Sequence, residues 1–272
     1  MPEDTVLAVE HVDAGYDTPV LEAVSFTVRK GEVFVILGGS GCGKSTLLKH
    51  IIGLNPPLKG EIRIMGDRIF GGTPAERERA MRRFGVTYQS GALFGSMTLL
   101  ENVCLPLESF TDLPHDARYL VAEMKLEQVG LKEYASYFPA DLSGGMKKRA
   151  AIARAMALDP AILFLDEPSA GLDPVTSAGL DRLILRLRDT QGVTVVMVTH
   201  ELASIFAVAD RCIMLDKQTR SLIAEGSPAH LRDCPPNAAV HAFFNREAGP
   251  SSDPQRPASP FCPNLVLPKE IT

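Results

Sequence analysis

The sequence predicts an α/β fold: a mainly parallel sheet covered by helices on both faces, with a helical block inserted midway. Three observations predict it. Nearly all-apolar runs recur at residues 33–37, 161–165, 193–198 and 212–215, as expected of strands buried on both sides. Helical patterns separate them, among them the amphipathic stretch 175–188, and such alternation marks a parallel sheet. The first run passes directly into a glycine-rich turn at residues 38–46 that opens a helix.

Taken in order, residues 7–12, 24–28 and 61–65 bunch or alternate β-branched residues between glycine and proline punctuation and are expected to be strands. Residues 33–37 form a central strand, and 44–52 the helix that follows the glycine turn. A short strand is expected at 85–88. Over residues 99–157 apolar side chains recur at spacings of three and four, so the block between Gln89 and Ala161 reads as a helical subdomain, about residues 95–160. One domain, 5–246, is followed by a tail, 247–272, whose prolines at 250, 254, 257, 260, 263 and 268 exclude regular structure.

The 272 residues suffice for a large buried core, and 45% hydrophobic with 22% charged residues is ordinary for a globular chain. A net charge of −5 argues against a general nucleic-acid binder. Basic residues cluster at Arg77, Arg79, Arg82 and Arg83 and at Lys147, Lys148 and Arg149, and both clusters read as solvated helix faces. No apolar stretch approaches the roughly 18–20 residues that span a bilayer. The first residues show no secretory pattern. Five cysteines without metal or disulfide spacing point to a reducing compartment, the cytoplasm.

The turn Gly38, Gly39, Ser40, Gly41, Cys42, Gly43, Lys44, Ser45 and Thr46 fits G-x-x-x-x-G-K-[ST]. Its backbone N–H groups are suited to wrap phosphates, Lys44 to reach the β- and γ-phosphates, and the Ser45 hydroxyl to bind Mg²⁺. Cys42 reads as a small filler. Asp166, ending an apolar run, is the expected second magnesium holder, acting through water, and Glu167 is free to polarise the attacking water. His200 follows another buried run and emerges at the same sheet edge, where ligands of open α/β sheets bind; it reads as a γ-phosphate sensor. Gln89 stands at a third such edge, suited to ligate Mg²⁺ and feel the γ-phosphate. A second anion site follows from Leu142, Ser143, Gly144, Gly145 and Met146, because a Ser-Gly-Gly turn opening a helix presents free N–H groups and a positive dipole end. Two phosphate cradles in one chain suggest that two chains share their nucleotides.

In this order the motifs resemble the nucleotide-binding subunit of an ATP-binding cassette (ABC) transporter, over about residues 5–245. The resemblance implies a P-loop NTPase fold with an antiparallel β subdomain, a RecA-like core and the inserted helical subdomain. It implies residues 38–46 as Walker A, Gln89 as Q-loop, residues 142–146 as signature and Asp166 as Walker B aspartate. Glu167 becomes the catalytic base, residues 169–173 the D-loop and His200 the switch histidine. Tyr16 matches the aromatic that stacks on adenine; an ordinary buried tyrosine is the alternative. The cofactors implied are ATP and Mg²⁺. The partner implied is a second copy packed head to tail, each ATP lying between one phosphate loop and the other chain's signature, a two-fold arrangement.

Gln-Ser-Gly-Ala-Leu-Phe from Gln89 to Phe94, and methionine at 146 where most cassettes have glutamine, are similar to the ATPases of maintenance-of-lipid-asymmetry (Mla) systems. The end of the domain, from Phe243, looks like that group too. That resemblance implies an inner-membrane permease, a mammalian-cell-entry (Mce) type lipid-binding protein and a small regulatory subunit. The chain would be peripheral on the cytoplasmic face of the inner membrane, powering phospholipid movement between the two membranes. An importer of amino acids or another small solute is the alternative; a non-transport cassette protein fits less well, since this chain holds one compact cassette. Ala92, Leu93 and Phe94 either line a groove for a partner helix or belong to the core. In the tail, Phe261 and residues 265–267 either dock on a partner or belong to a disordered segment.

Overall fold

The computed structural model describes residues 4–246. The strands are β1 (Thr5–Gly15), β2 (Pro19–Arg29), β3 (Val33–Gly38), β4 (Lys59–Ile64), β5 (Asp67–Arg68), β6 (Phe84–Thr87), β7 (Ile162–Asp166), β8 (Thr194–Val198), β9 (Arg211–Asp216) and β10 (Ser221–Gly226). The helices are α1 (Lys44–Ile51), α2 (Pro74–Arg82), α3 (Leu99–Phe110), α4 (His115–Gln128), α5 (Gly144–Ala155), α6 (Pro174–Gln191), α7 (Leu202–Val208), α8 (Pro228–Asp233) and α9 (Ala238–Asn245).

They build two sheets. The first has the order β2-β1-β4-β5 and is antiparallel throughout. The second, β10-β9-β3-β8-β7-β6, is parallel from β9 to β6, with β10 antiparallel at its edge. All six residues of β3 and all five of β8 are buried, as their apolar runs require of strands covered on both faces.

Because strand side chains alternate, each central strand feeds two cores. Val33, Val35 and Leu37 join Leu163, Leu165, Val195 and Met197 in one cluster, which also takes Leu99, Val103 and Leu107 of α3, Leu126 of α4 and Ile152 of α5. Phe34 and Ile36 join Ile162, Phe164, Val196 and Val198 in the other, with Leu47 and Ile51 of α1 and Leu7, Leu21 and Ile64 of the antiparallel sheet. The inserted helices thus share a core with one face of the large sheet, which holds α5 against the strand ends. Gly85 of β6 sets that approach: a Cβ there would lie 2.0 Å from the Ala155 carbonyl oxygen.

Local signals fix several helix starts. Thr73 and Glu76 form a capping box ahead of α2, and Thr98 and Glu101 form one ahead of α3. Asp173 caps α6 by accepting from the N–H groups of Val175 and Thr176. The tail beyond residue 246, including Phe261 and residues 265–267, lies outside the described residues. Among the described residues no helix is long and apolar enough to cross a membrane.

Candidate functional site

The glycine turn joins β3 to α1, as its sequence demands. Gly43, the N-cap residue of α1, has φ 101°, and a Cβ there would crowd Leu21 at 2.9 Å. Lys44 is buried, and its ammonium donates to the Gly38 and Gly39 carbonyls at 2.8 and 3.1 Å. The cation is therefore held over the loop by main-chain oxygens rather than by a carboxylate. Cys42 is buried, as a filler side chain would be, and burial pushes its thiol upward.

The carboxyl ends of β7 and β8 supply the acids and the histidine. Ser45 Oγ donates to Asp166 Oδ1 at 3.4 Å, which ties the loop to the end of β7. Burial, reinforced by the neighbouring Glu167 charge, raises the Asp166 carboxyl above its ordinary value. Glu167 has a left-handed backbone, φ 46°, and its N–H donates to the Val198 carbonyl at 2.8 Å. A non-glycine residue held there marks a constrained turn. Glu167 Oε1 lies 2.8 Å from His200 Nδ1, while Oε2 is buried with no hydrogen-bond partner among the described residues.

The phosphate loop, Gln89, Glu167, His200 and Phe243 line one cavity of about 590 Å³. Four expected features thus meet there, the phosphate loop among them, although Gln89, Glu167 and His200 stand 43 or more positions from Thr46 in sequence. Phe243, on α9, is an addition that no local pattern announced; only its place at the end of the domain had drawn notice.

The second anion site stands apart. Ser143 caps α5, its hydroxyl accepting from the Met146 N–H at 3.3 Å, and Ser143 and Gly144 are exposed. Gly145 is buried against α6, where a Cβ would lie 2.5 Å from Thr176 Cγ2. None of the three lines the phosphate-loop cavity; Gly145 borders a separate one of about 220 Å³. Within one chain the two cradles do not face one nucleotide.

Tyr16 is 57% exposed, which removes the reading of an ordinary buried tyrosine. Its neighbour Gly15 donates its N–H to Nε2 of the fully buried His50 at 3.0 Å, and His50 Nδ1 pairs with the Asn55 carbonyl at 2.9 Å. That pairing puts the imidazole proton on Nδ1. Helix α1 therefore anchors the turn that carries Tyr16.

The two basic clusters part ways. Arg79 pairs with Asp67 and Arg82 with Glu78 on the exposed side of α2, as a solvated face would. On α5 the expectation fails: Lys148 is half-buried and donates to the Gln89 and Glu167 carbonyls at 2.5 and 3.1 Å. Burial lowers its ammonium below the usual lysine value in spite of the nearby Asp166, Glu167 and Glu201. Farther along the helix Arg154 donates to the Ala92 and Gly91 carbonyls at 2.7 and 3.1 Å. Of the apolar residues after Gln89, Leu93 packs against the core while Ala92 and Phe94 are exposed, so each reading holds for part of the segment.

The ABC transporter family model matches residues 21–170. This chain belongs to that family. It is 39% identical over 227 residues, 83% of each protein, to the intermembrane phospholipid transport system ATP-binding protein MlaF of Escherichia coli K12. It is 41% identical over 233 residues, 85% of this chain and 64% of the other, to the probable ribonucleotide transport ATP-binding protein mkl of Mycobacterium tuberculosis H37Rv. The dimeric post-hydrolysis structure of the cassette MJ0796 bound to ADP and Pi superposes with a TM-score of 0.73 at 31% identity, covering 81% of this chain and 98% of that one. The chain is accordingly the ATP-hydrolysing cassette of a membrane transporter with the P-loop NTPase fold.

Proposed function

We propose that two copies of this cassette close head to tail on two ATP molecules and drive phospholipid transport between the inner and outer membranes. The observation that carries the chemistry is the Glu167–His200 pair set opposite the phosphate loop across one cavity. The cargo rests on the similarity to MlaF over 83% of the chain, together with the Gln89–Phe94 and Leu142–Met146 segments.

In this reading the ATP phosphates draw the Lys44 ammonium from the Gly38 and Gly39 carbonyls, and the loop N–H groups take the remaining charge. Glu167 accepts a proton from water as the water oxygen attacks the γ-phosphorus and the bond to the β-phosphate oxygen breaks. Its unpartnered Oε2 supplies the acceptor, and His200, bonded to Oε1, fixes the carboxylate and meets the γ-phosphate. The Ser45 hydroxyl, the Asp166 carboxylate and the Gln89 amide are oxygen donors of the sort a hard cation takes, and the first two are within reach of one another. Ser45 and Gln89 would hold Mg²⁺ directly and Asp166 through water; the ion would neutralise charge on the β- and γ-phosphate oxygens. Tyr16 stacks on adenine. Ser143, Gly144 and Gly145 cap the γ-phosphate held by the other copy, the role that their separation from the chain's own loop leaves for them.

On the strength of the similarity to MlaF, the cassette acts through an integral permease, peripherally on the cytoplasmic face of the inner membrane. The exposed Phe94 and Ala92 beside Gln89 suit a permease helix. An Mce-type lipid-binding protein and a small regulatory subunit complete the assembly. The likeness to mkl supports one rival cargo, a small polar solute. Purification of the native complex, with lipid analysis of what it carries, separates them. Recovery of an Mce-type protein with bound phospholipid is expected; recovery of a solute permease without it would overturn the cargo.

A further inference from the structure

Helix α5 touches both halves of the reaction. Its first turn offers Ser143 and Gly144 to solvent, and Lys148 lies five residues from Ser143, roughly 7.5 Å along the axis. The Lys148 ammonium spans two main-chain carbonyls from separate elements: Gln89, after β6, and Glu167, after β7. The contact has a built setting. Gly91 packs against the same helix, where a Cβ would lie 3.6 Å from the Ala151 methyl and from the Lys147 carbonyl. Arg154 holds the Gly91 and Ala92 carbonyls farther along the loop. Arg154 reaches only the Gln89–Phe94 segment, whereas Lys148 also reaches the turn of Glu167, whose strained φ needs an external restraint.

We infer that Lys148 is a positioning residue that couples the two half-sites of the dimer, by tying the backbone of Gln89 and Glu167 to the helix whose first turn receives the partner's nucleotide. The inference rests on the roles proposed above for Glu167, Gln89 and Ser143. A helix is stiff over one and a half turns, so movement of Ser143 toward the opposing ATP carries the Lys148 ammonium with it. That shifts the carbonyls of Gln89 and Glu167 and brings both side chains to the γ-phosphate of the chain's own ATP. Hydrolysis is thereby licensed by closure, and the two sites fire cooperatively.

The test is Lys148→Met, which keeps most of the unbranched stem and removes the donors, beside Lys148→Arg, which restores a cation able to span two carbonyls. The readouts are nucleotide affinity without magnesium, dimer formation with ATP by light scattering, kcat, and the Hill coefficient for ATP. Expected for Lys148→Met are unchanged affinity, an ATP dimer that still forms, kcat lowered about 10-fold or more, and a Hill coefficient falling toward one, with Lys148→Arg near wild type. Wild-type kcat and Hill coefficient in Lys148→Met would overturn the inference, as would loss of dimerisation in step with activity or failure of arginine to rescue. Should the methionine variant not fold, Lys148→Gln, too short to span both carbonyls, carries the same expectations. Glu167→Gln, measured alongside, separates the two levels: if it turns over normally the proposed site itself is wrong, and if it is inactive while Lys148→Met is normal only the coupling is wrong.

Discussion

His200 Nδ1 and Glu167 Oε1 stand 2.8 Å apart across neighbouring parallel strands that end in register, Asp166 opposite Val198. Three constraints hold the carboxylate. The Glu167 N–H is bonded to the Val198 carbonyl, its own carbonyl receives the Lys148 ammonium, and one of its side-chain oxygens is occupied by the histidine. The other oxygen is left to take a proton.

His200→Ala removes the third constraint, together with the imidazole proposed to meet the γ-phosphate. Its kcat is expected to fall roughly 10²-fold, with nucleotide affinity little changed, since the phosphate loop keeps all its contacts. Steady-state hydrolysis and nucleotide titration check this together. A large loss of affinity with unchanged kcat would make the histidine a binding group rather than a positioning one.

Gly145→Ala is expected to disable the second cradle and spare the first. The added methyl would meet Thr176 Cγ2 at 2.5 Å and push the start of α5 off α6. ATP dimerisation should be lost, while the single chain still binds nucleotide. Thr176→Ser removes that methyl and keeps the hydroxyl bonded to Asp173, so the double variant should regain dimerisation. Light scattering with and without ATP reads both; a dimer of normal stability in Gly145→Ala would contradict the packing argument.

Asp181 on α6 is buried, accepts from the Ser204 hydroxyl at 3.0 Å, and has its carboxyl raised, chiefly by burial. With the folded value above the unfolded one, the folded state binds the extra proton between them. Stability therefore falls as pH rises from the ordinary carboxylate value through the folded one, and the cost is complete above the folded value. Asp181→Asn keeps an acceptor for Ser204 without the charge. Its melting temperature should exceed wild type at pH 7.5, the difference shrinking toward pH 4. A variant less stable at pH 7.5 would show that the charge is compensated.

Much of this was legible in the sequence, for reasons that differ by element. β3, β7 and β8 announced themselves because strands covered on both faces need unbroken apolar runs, and the phosphate loop because its chemistry is local. α2 buries only Ala80, so no apolar stripe marked it; its signal was the Thr73–Glu76 capping box followed by Pro74. β10 is half-buried at a sheet edge and gave neither a run nor a clean alternation. Lys148 passed for a surface lysine because its partners are main-chain carbonyls 59 and 19 residues away, which no side-chain pattern encodes. Phe243 reached the cavity from the last described helix for the same reason.

The central claim is that Glu167 activates water in a site completed by a second copy of the chain. Glu167→Gln tests it most directly, with turnover and mass in solution measured on one sample with ATP and magnesium. The account predicts hydrolysis lowered by roughly 10²- to 10⁴-fold and a stable dimer retaining two ATP. Near-normal hydrolysis by a monomer would contradict it.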